Sequence, residues 1–197
     1  MTTPTRVLQI ATAELGYTES PPGSNGNKFG QWYGMNYVPW CAIFVSYCFD
    51  RAGLTLPIRT PKGFAYCPDG VVWFRNRGQW FLAPQVGDLV FYSWQQDGIA
   101  DHIGIVETIN SDGGLLSIEG NTAVGNDSNG GEVMRRRRER SGVLGFGRPY
   151  QAPDPGANEI ASQPVSGNRP APSKPPVPPV SPDYHTQLID RLLGKDK

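Results

Sequence analysis

Apolar residues recur at helical spacing in the first part of the chain. The repeat predicts a helix over residues 5–15, where apolar side chains fall on one stripe and Gly16 follows as a stop. A second helix is predicted over residues 41–52, with Gly53 where helices often end in a left-handed residue. A shorter third helix is predicted to end near Gly78. The N-terminal part of the chain is therefore expected to be mainly helical.

The segment between the first two predicted helices and the segment after the third lack the helical repeat. Residues 16–39 are rich in Gly, Pro and Asn and are predicted to form a long loop. From residue 87 onward, short runs of β-branched and aromatic residues are separated by Gly and Asp, which is typical of strands joined by turns. Strands are expected in GDLVFYSW, DHIGIVETI and GLLSIEGNT, with one or two more in GGEVMRRRRERSGVLGFGRPY.

Helices followed by strands indicate an α+β fold, with N-terminal helices packed on an antiparallel β-meander. This folded unit is expected to cover residues 1–150, because all but one of the aromatic residues lie there. Ten of the 19 prolines fall between Pro153 and Pro182, so residues 151–183 are predicted to be a disordered, Pro-rich linker. Residues 184–197 carry an apolar stripe and are predicted to form a short amphipathic helix.

Charge gives no reason to expect a polyanionic partner, because 18 basic residues balance 18 acidic ones. The run RRRRER at residues 135–140 is interpreted as a solvated strand, with weak attraction to anionic polymers second and nucleic acid a distant third. No apolar run is long enough to cross a membrane, and the N-terminus lacks the apolar core of a secretion signal. We expect a monomer without a transmembrane segment or a nucleic-acid partner.

Three cysteines are present, and they do not form a disulfide scaffold. Cys41 and Cys48 are about 10 Å apart along one predicted helix, which is too far for a disulfide. A bridge between Cys48 and Cys67 is possible, but buried free thiols are favoured. No CxxC pair or histidine cluster indicates a structural metal.

Candidate catalytic residues lie in three separate segments. Cys41 begins the second helix, where the positive end of the helix dipole stabilises a thiolate. His102 is the only histidine before the Pro-rich segment. Glu119 and Asn121 lie two apart on the next strand, so they share a face that a hairpin returns to His102. A thiol, an imidazole and a polar orienting group are the parts that a cysteine hydrolase needs.

Each of these residues also has an ordinary structural explanation. Cysteines are often small core residues, and a single histidine is often a satisfied structural one. The sequence EGNT before a Gly-rich loop is also common turn chemistry. Spacing alone therefore leaves catalysis by Cys41 open and favours a structural role for His102.

Four motifs resemble, in the same order, those of the CHAP domain, the cysteine, histidine-dependent amidohydrolase/peptidase family. They are PWCAIFVSYCFDRAG, GDLVFYSW, DHIGIVE and SIEGNT. The resemblance implies a papain-like (NlpC/P60-type) fold. It further implies that Cys41 is the nucleophile, that His102 is the general base and then acid, and that Glu119 orients the imidazole. Asn121 would line the site or share the role of Glu119.

The same resemblance implies the substrate class. CHAP enzymes hydrolyse amide bonds in peptidoglycan, as N-acetylmuramoyl-L-alanine amidases or as stem or cross-bridge endopeptidases. The chain resembles a bacteriophage endolysin, a hydrolase for cell wall lysis. Such a protein is made in the host cytoplasm and reaches the wall by a holin-type route, or it acts as part of a virion.

Two departures from the family pattern affect the expected site. Trp40 stands where many CHAP domains have Gln, so only the Cys41 N–H is predicted as an oxyanion donor. Residues 21–39 contain no Asp or Glu, so no calcium or other metal is expected there, and no cofactor is expected either. Most tryptophans are expected in the core, with Trp40 and Trp94 as candidates for a substrate groove.

Three other functions compete with this hypothesis. NlpC/P60 endopeptidases usually orient the catalytic histidine with a second histidine, which this unit lacks. A transglutaminase-like acyltransferase would use the same residues with an amine acceptor. A non-catalytic wall-binding or virion-associated protein could keep the same fold, although an intact set of candidate residues disfavours it.

Overall fold

The computed structural model describes residues 4–127 and 129–150. This part of the chain begins with four α-helices: α1 (Pro4–Ala13), α2 (Lys28–Tyr33), α3 (Cys41–Arg51) and α4 (Cys67–Asn76). Six strands follow: β1 (Trp80–Phe81), β2 (Leu89–Tyr92), β3 (His102–Ile109), β4 (Leu115–Thr122), β5 (Glu132–Arg138) and β6 (Val143–Gly147). A 3₁₀ turn (Arg140–Gly142) precedes β6. The predicted α+β class is confirmed.

The strands form one antiparallel sheet in the order β1-β6-β2-β3-β4-β5. Strands β2 to β5 form the predicted meander. Strand β6 departs from it, because the chain returns across the sheet and pairs Gly147 with both Leu89 and Trp80. This return places β6 between β1 and β2 and leaves β5 at the end of the sheet.

Helix α3 is the centre of the helical layer. It is apolar on nearly every side, and Ile43, Phe44, Val45 and Phe49 are fully buried. It packs against α1 and α2 on one side and against β3 and β4 on the other. A helix buried all round needs partners on every face, and these four elements supply them. The core therefore fixes the start of α3, where Cys41 lies.

Two short elements were missed in the sequence. The expected loop 16–39 contains α2, whose six residues are too few for a periodic signal. The Asn27 side chain caps this helix by accepting a hydrogen bond from the Gly30 N–H (2.7 Å), and Gly34 ends it in a left-handed conformation. The two-residue strand β1 gave no pattern either.

The arginine run lies on β5, where its side chains alternate between the two faces. Arg135 pairs with Glu107, and Arg137 pairs with an aspartate of the β3–β4 turn; both arginines are exposed. The interpretation as a solvated strand fits them. It is wrong for Arg138, which is only 7% exposed and points among buried polar residues.

Several expectations concern other parts of the chain. The predicted linker over 151–183 and the predicted helix over 184–197 lie outside the described residues. Within the described ranges, none of the helices is long and apolar enough to span a membrane. The same residues contain no group of three or more His, Cys, Asp or Glu side chains suited to a metal ion.

Candidate active site

Cys41 is the first residue of α3 and lines a pocket of about 550 Å³. Cys41 is 5% exposed, and as the first residue of α3 it lies where the backbone N–H groups have no acceptor within the helix. No acidic residue occupies that first turn, so nothing there opposes a negative sulfur. The core thus holds the Cys41 thiol at the positive end of α3, beside the pocket.

His102 and Glu119 meet across the β3–β4 hairpin. The pairing of Ile105 with Ile118 sets the register, and the His102 Nε2 lies 3.0 Å from the Glu119 Oε2. Both side chains are fully buried. Gly104 makes this contact possible, because a Cβ at that position would lie 2.6 Å from the Glu119 Cγ. The sheet therefore fixes the imidazole through the contact of its Nε2 with Glu119.

Four hydrogen bonds fix the Glu119 carboxylate. Its Oε1 accepts from the Ser117 hydroxyl (2.6 Å) and from the Arg138 Nε (3.0 Å). Its Oε2 accepts from the Arg138 Nη2 (2.5 Å) as well as facing His102. Burial by itself raises the pKa of Glu119, but the bonds from His102 and Arg138 outweigh it and lower that pKa to about 2. Glu119 is thus a fixed, ionised acceptor at neutral pH.

The electrostatics favour an ion pair between Cys41 and His102. A hydrogen bond from Cys67 and the charge of His102 hold the pKa of the Cys41 thiol well below its ordinary value, against the opposing effect of burial. Burial lowers the pKa of His102, but Cys41 and Glu119 more than compensate and raise it to about 9. Nε2 faces Glu119, and the buried Nδ1 has no hydrogen-bond partner among the described residues, so Nδ1 is the ring nitrogen left to exchange a proton with Cys41.

A second thiol lies beside the first. The Cys67 Sγ is 3.7 Å from the Cys41 Sγ, and Cys67 is the first residue of α4. The hydrogen bond to Cys41 and burial raise the pKa of Cys67 well above its ordinary value. All three cysteines are free and buried, which agrees with the favoured expectation for Cys48 and Cys67. Nothing in the sequence placed Cys67 near Cys41, because the two cysteines begin different helices.

The two tryptophans predicted for the groove have different surroundings. Trp94 lines the pocket and stacks on Tyr92, with ring centroids 4.7 Å apart. Trp40 is fully buried, stacks on Phe29 and donates its indole N–H to Glu19 (3.3 Å). The prediction of Trp40 as a groove residue is therefore wrong, because its side chain turns into the core.

Asn121 is held by the loop that follows β4. Its backbone is left-handed (φ 60°), and the pairing of β4 with β5 shifts register between Glu119 and Thr122. The register shift interrupts strand alternation, so alternation does not place Asn121 on the same face of the sheet as Glu119. Its amide Nδ2 donates to the Asn129 Oδ1 (3.0 Å), and Asn129 lines the pocket. A direct role for Asn121 stays a prediction.

Sequence reasoning also missed Arg138, which is anchored on three sides. Besides Glu119, its guanidinium contacts the Asp127 carboxylate (2.8 Å) and lies over the rings of Trp94 (5.0 Å) and Tyr92 (5.5 Å). Strand alternation in the arginine run is a signal that could have found it, since every second arginine must face inward if one face is covered.

Comparison with known proteins bears on the family and on the fold. Residues 32–121 match the model of the CHAP domain, so the resemblance drawn from the motifs is confirmed for this part of the chain. A solved structure, that of the wild-type endolysin LysIME-EF1, is similar with a TM-score of 0.51 and 17% sequence identity. The alignment covers 77% of this chain and 67% of that one, and it supports the fold. No curated protein matches the sequence.

Proposed function

We propose that this chain is a peptidoglycan hydrolase of the endolysin type that cleaves an amide bond with Cys41 as its nucleophile. The observation that carries the proposal is a buried His102–Glu119 pair that interacts electrostatically with Cys41 at the start of α3, all within the residues that match the CHAP domain. A peptidoglycan substrate fits the CHAP match, and the endolysin fold of the structural neighbour fits action on a cell wall.

In the first step the Cys41 thiolate attacks the carbonyl carbon of the scissile amide. The negative oxygen of the tetrahedral intermediate accepts a hydrogen bond from the Cys41 N–H at the start of α3. His102, protonated at Nδ1, donates that proton to the leaving amine. The carbonyl carbon is then bound to Cys41 as a thioester, and the amine fragment leaves.

In the second step water replaces the amine. The neutral His102 takes a proton from the water, which attacks the thioester and releases a carboxylate. The C–S bond breaks as the second tetrahedral intermediate collapses, which frees the Cys41 thiolate, and the proton taken from water leaves His102 as the imidazolium. Glu119 holds the imidazole in one orientation and stabilises its charge throughout, and Ser117 and Arg138 in turn hold Glu119.

Solubilisation of purified peptidoglycan tests the proposal. We expect the wild type to clear a suspension and to release new amino groups without new reducing ends, whereas Cys41→Ala does neither. Cys48→Ala is the matched control, because Cys48 is buried in α3 and does not line the pocket. Mass spectrometry of the fragments then assigns the bond as muramoyl–L-alanine, stem or cross-bridge.

Four results would contradict the proposal. Clearing that survives Cys41→Ala would exclude a thiol nucleophile, and new reducing ends would indicate a glycosidase. Binding to walls from several hosts without any cleavage by folded wild type would favour a wall-binding protein. Transfer of an added amine into the product would instead indicate an acyltransferase.

A further inference from the structure

The mechanism leaves Cys67 unused, although it is the thiol closest to the proposed nucleophile. Cys41 and Cys67 start two different helices, α3 and α4, and these helix N-termini converge on the two sulfurs, which are 3.7 Å apart. Both residues line the same pocket, while Cys48 is fully buried and does not line it. The fold therefore presents two thiols to solvent through one opening and keeps the third away.

We propose that Cys41 and Cys67 form a reversible oxidation site, in which a hydroperoxide converts the two thiols to a disulfide and switches the nucleophile off. A disulfide needs its sulfurs at about 2.05 Å, so they must approach by less than 2 Å. Both side chains start at helix N-termini, where χ1 rotation moves the sulfur without moving the helix. The inhibitory effect rests on the proposed function, whereas the thiol chemistry does not.

The reaction balances with hydrogen peroxide as the oxidant. The Cys41 thiolate attacks one peroxide oxygen, the O–O bond breaks, and the hydroxide that leaves takes up a proton as water. Cys41 is then a sulfenic acid. The Cys67 sulfur attacks the Cys41 sulfur, the S–O bond breaks, and the departing hydroxide takes the Cys67 proton to form a second water. Two thiols lose two electrons and two protons, and the peroxide is reduced to two waters.

The charges of the two thiols suit them to different roles. A sulfur that is ionised and reachable is oxidised first, and this describes Cys41. Cys67 stays protonated until it attacks, so it serves as the resolving thiol. Burial raises the pKa of Cys48, which therefore serves as an unreactive internal reference.

The experiment exposes the full chain, reduced and freed of reductant, to hydrogen peroxide. We expect the wild-type mass to fall by two hydrogen atoms and the thiols titrated in denaturant to fall from three to one. Peptide mapping should show Cys41 joined to Cys67 within one chain. Dithiothreitol should restore the thiols, the reaction of Cys41 with iodoacetamide, and wall clearing.

Cys67→Ser keeps a hydrogen-bond donor of similar size but cannot resolve the sulfenic acid. Its Cys41 should gain oxygen atoms and should not recover with dithiothreitol, and Cys67→Ala should behave in the same way. Cys48→Ala should form the disulfide as the wild type does. Mass and thiol counts decide the outcome even if the protein clears no wall, so failure of this inference is distinguishable from failure of the proposed function.

The inference would be overturned by wild-type Cys41 that gains oxygen without a disulfide. A bond between two chains, a bond to Cys48, or a Cys67→Ser variant that recovers as fully as the wild type would overturn it equally. So would three intact thiols after peroxide treatment that oxidises the cysteines of the unfolded chain.

Discussion

At the scale of single residues, side-chain direction separates Trp40 from Trp94. Both flank the proposed site in sequence. Trp40 directly precedes the largely buried helix α3, and its indole stacks on Phe29 in the core. Trp94 follows β2 and stacks on Tyr92, so one edge of its ring is left to the pocket. Composition cannot distinguish these two cases, because tertiary packing decides them.

Truncation of Trp94 should therefore affect substrate binding, whereas truncation of Trp40 should affect stability. We expect Trp94→Ala to raise KM for soluble wall fragments about fivefold, because the loss of an aromatic wall costs about 1 kcal/mol of binding. Trp40→Ala should instead lower the free energy of unfolding by about 3–5 kcal/mol. Steady-state kinetics and urea unfolding of both variants measure the contrast, and Trp94→Phe should stay near the wild-type KM. An unchanged KM in Trp94→Ala would remove Trp94 from the groove.

At the scale of elements, one glycine on β3 and one on β4 allow side chains to pack closely on both faces of the sheet. Gly104 leaves space for the Glu119 side chain, and Gly120 leaves space for Phe44 and Trp40 of the helical layer. Glu119 and Gly120 are adjacent on one strand and therefore point to opposite faces. One strand thus supplies the orienting carboxylate on one face and close helix packing on the other.

Replacing each glycine in turn by alanine should separate the effect on Glu119 from the effect on helix packing. In Gly104→Ala the new Cβ would lie 2.6 Å from the Glu119 Cγ, so the carboxylate must move away from His102. We expect kcat to fall about 10- to 100-fold, since a misplacement near 1 Å costs about that much. Gly120→Ala should chiefly lower the free energy of unfolding, by about 1–3 kcal/mol, because its Cβ meets the Phe44 ring. Equal kcat in wild type and Gly104→Ala would contradict the orienting role of Glu119.

The sequence predicted the long elements well and the short ones poorly. Helix α3 and strands β2 to β4 have strong apolar patterns, and each was placed within a few residues. Helix α2 depends on a side-chain cap and β1 on pairing with β6, which are contacts that no local period reveals. His102 and Glu119 could be brought together because hairpin register follows from strand alternation, whereas Cys67 and Arg138 reach the site through tertiary packing.

At the scale of the whole molecule, the buried Glu119 carboxylate links the stability of the fold to pH. The folded pKa of Glu119, about 2, lies below its ordinary value of 4.5. A lowered carboxyl pKa stabilises the fold above pH 4.5, and that contribution is lost as the pH falls toward 2. The shift corresponds to about 3 kcal/mol. The same Arg138 that anchors Glu119 thus makes protonation of Glu119 destabilising.

Urea unfolding between pH 6 and pH 3 measures this link. The wild type should lose stability over that range, and Glu119→Gln should have lower stability at pH 6 with a shallower dependence on pH. Glu139→Gln, which changes an exposed carboxylate on the arginine run, should keep the wild-type slope. Identical slopes for wild type and Glu119→Gln would mean that the Glu119 carboxylate does not carry the acid sensitivity.

The pH dependence of Cys41 alkylation tests the central claim, a nucleophile held as a thiolate by His102, most directly. Iodoacetamide labelling followed by peptide mapping separates Cys41 from its neighbours. The wild type should react rapidly at pH values well below 9, the ordinary value for a thiol, because His102 and Cys67 lower the pKa of Cys41. His102→Ala should shift the labelling profile toward alkaline pH. A wild-type profile that rises only near pH 9 and is unchanged in His102→Ala would contradict the ion pair and, with it, the catalytic account.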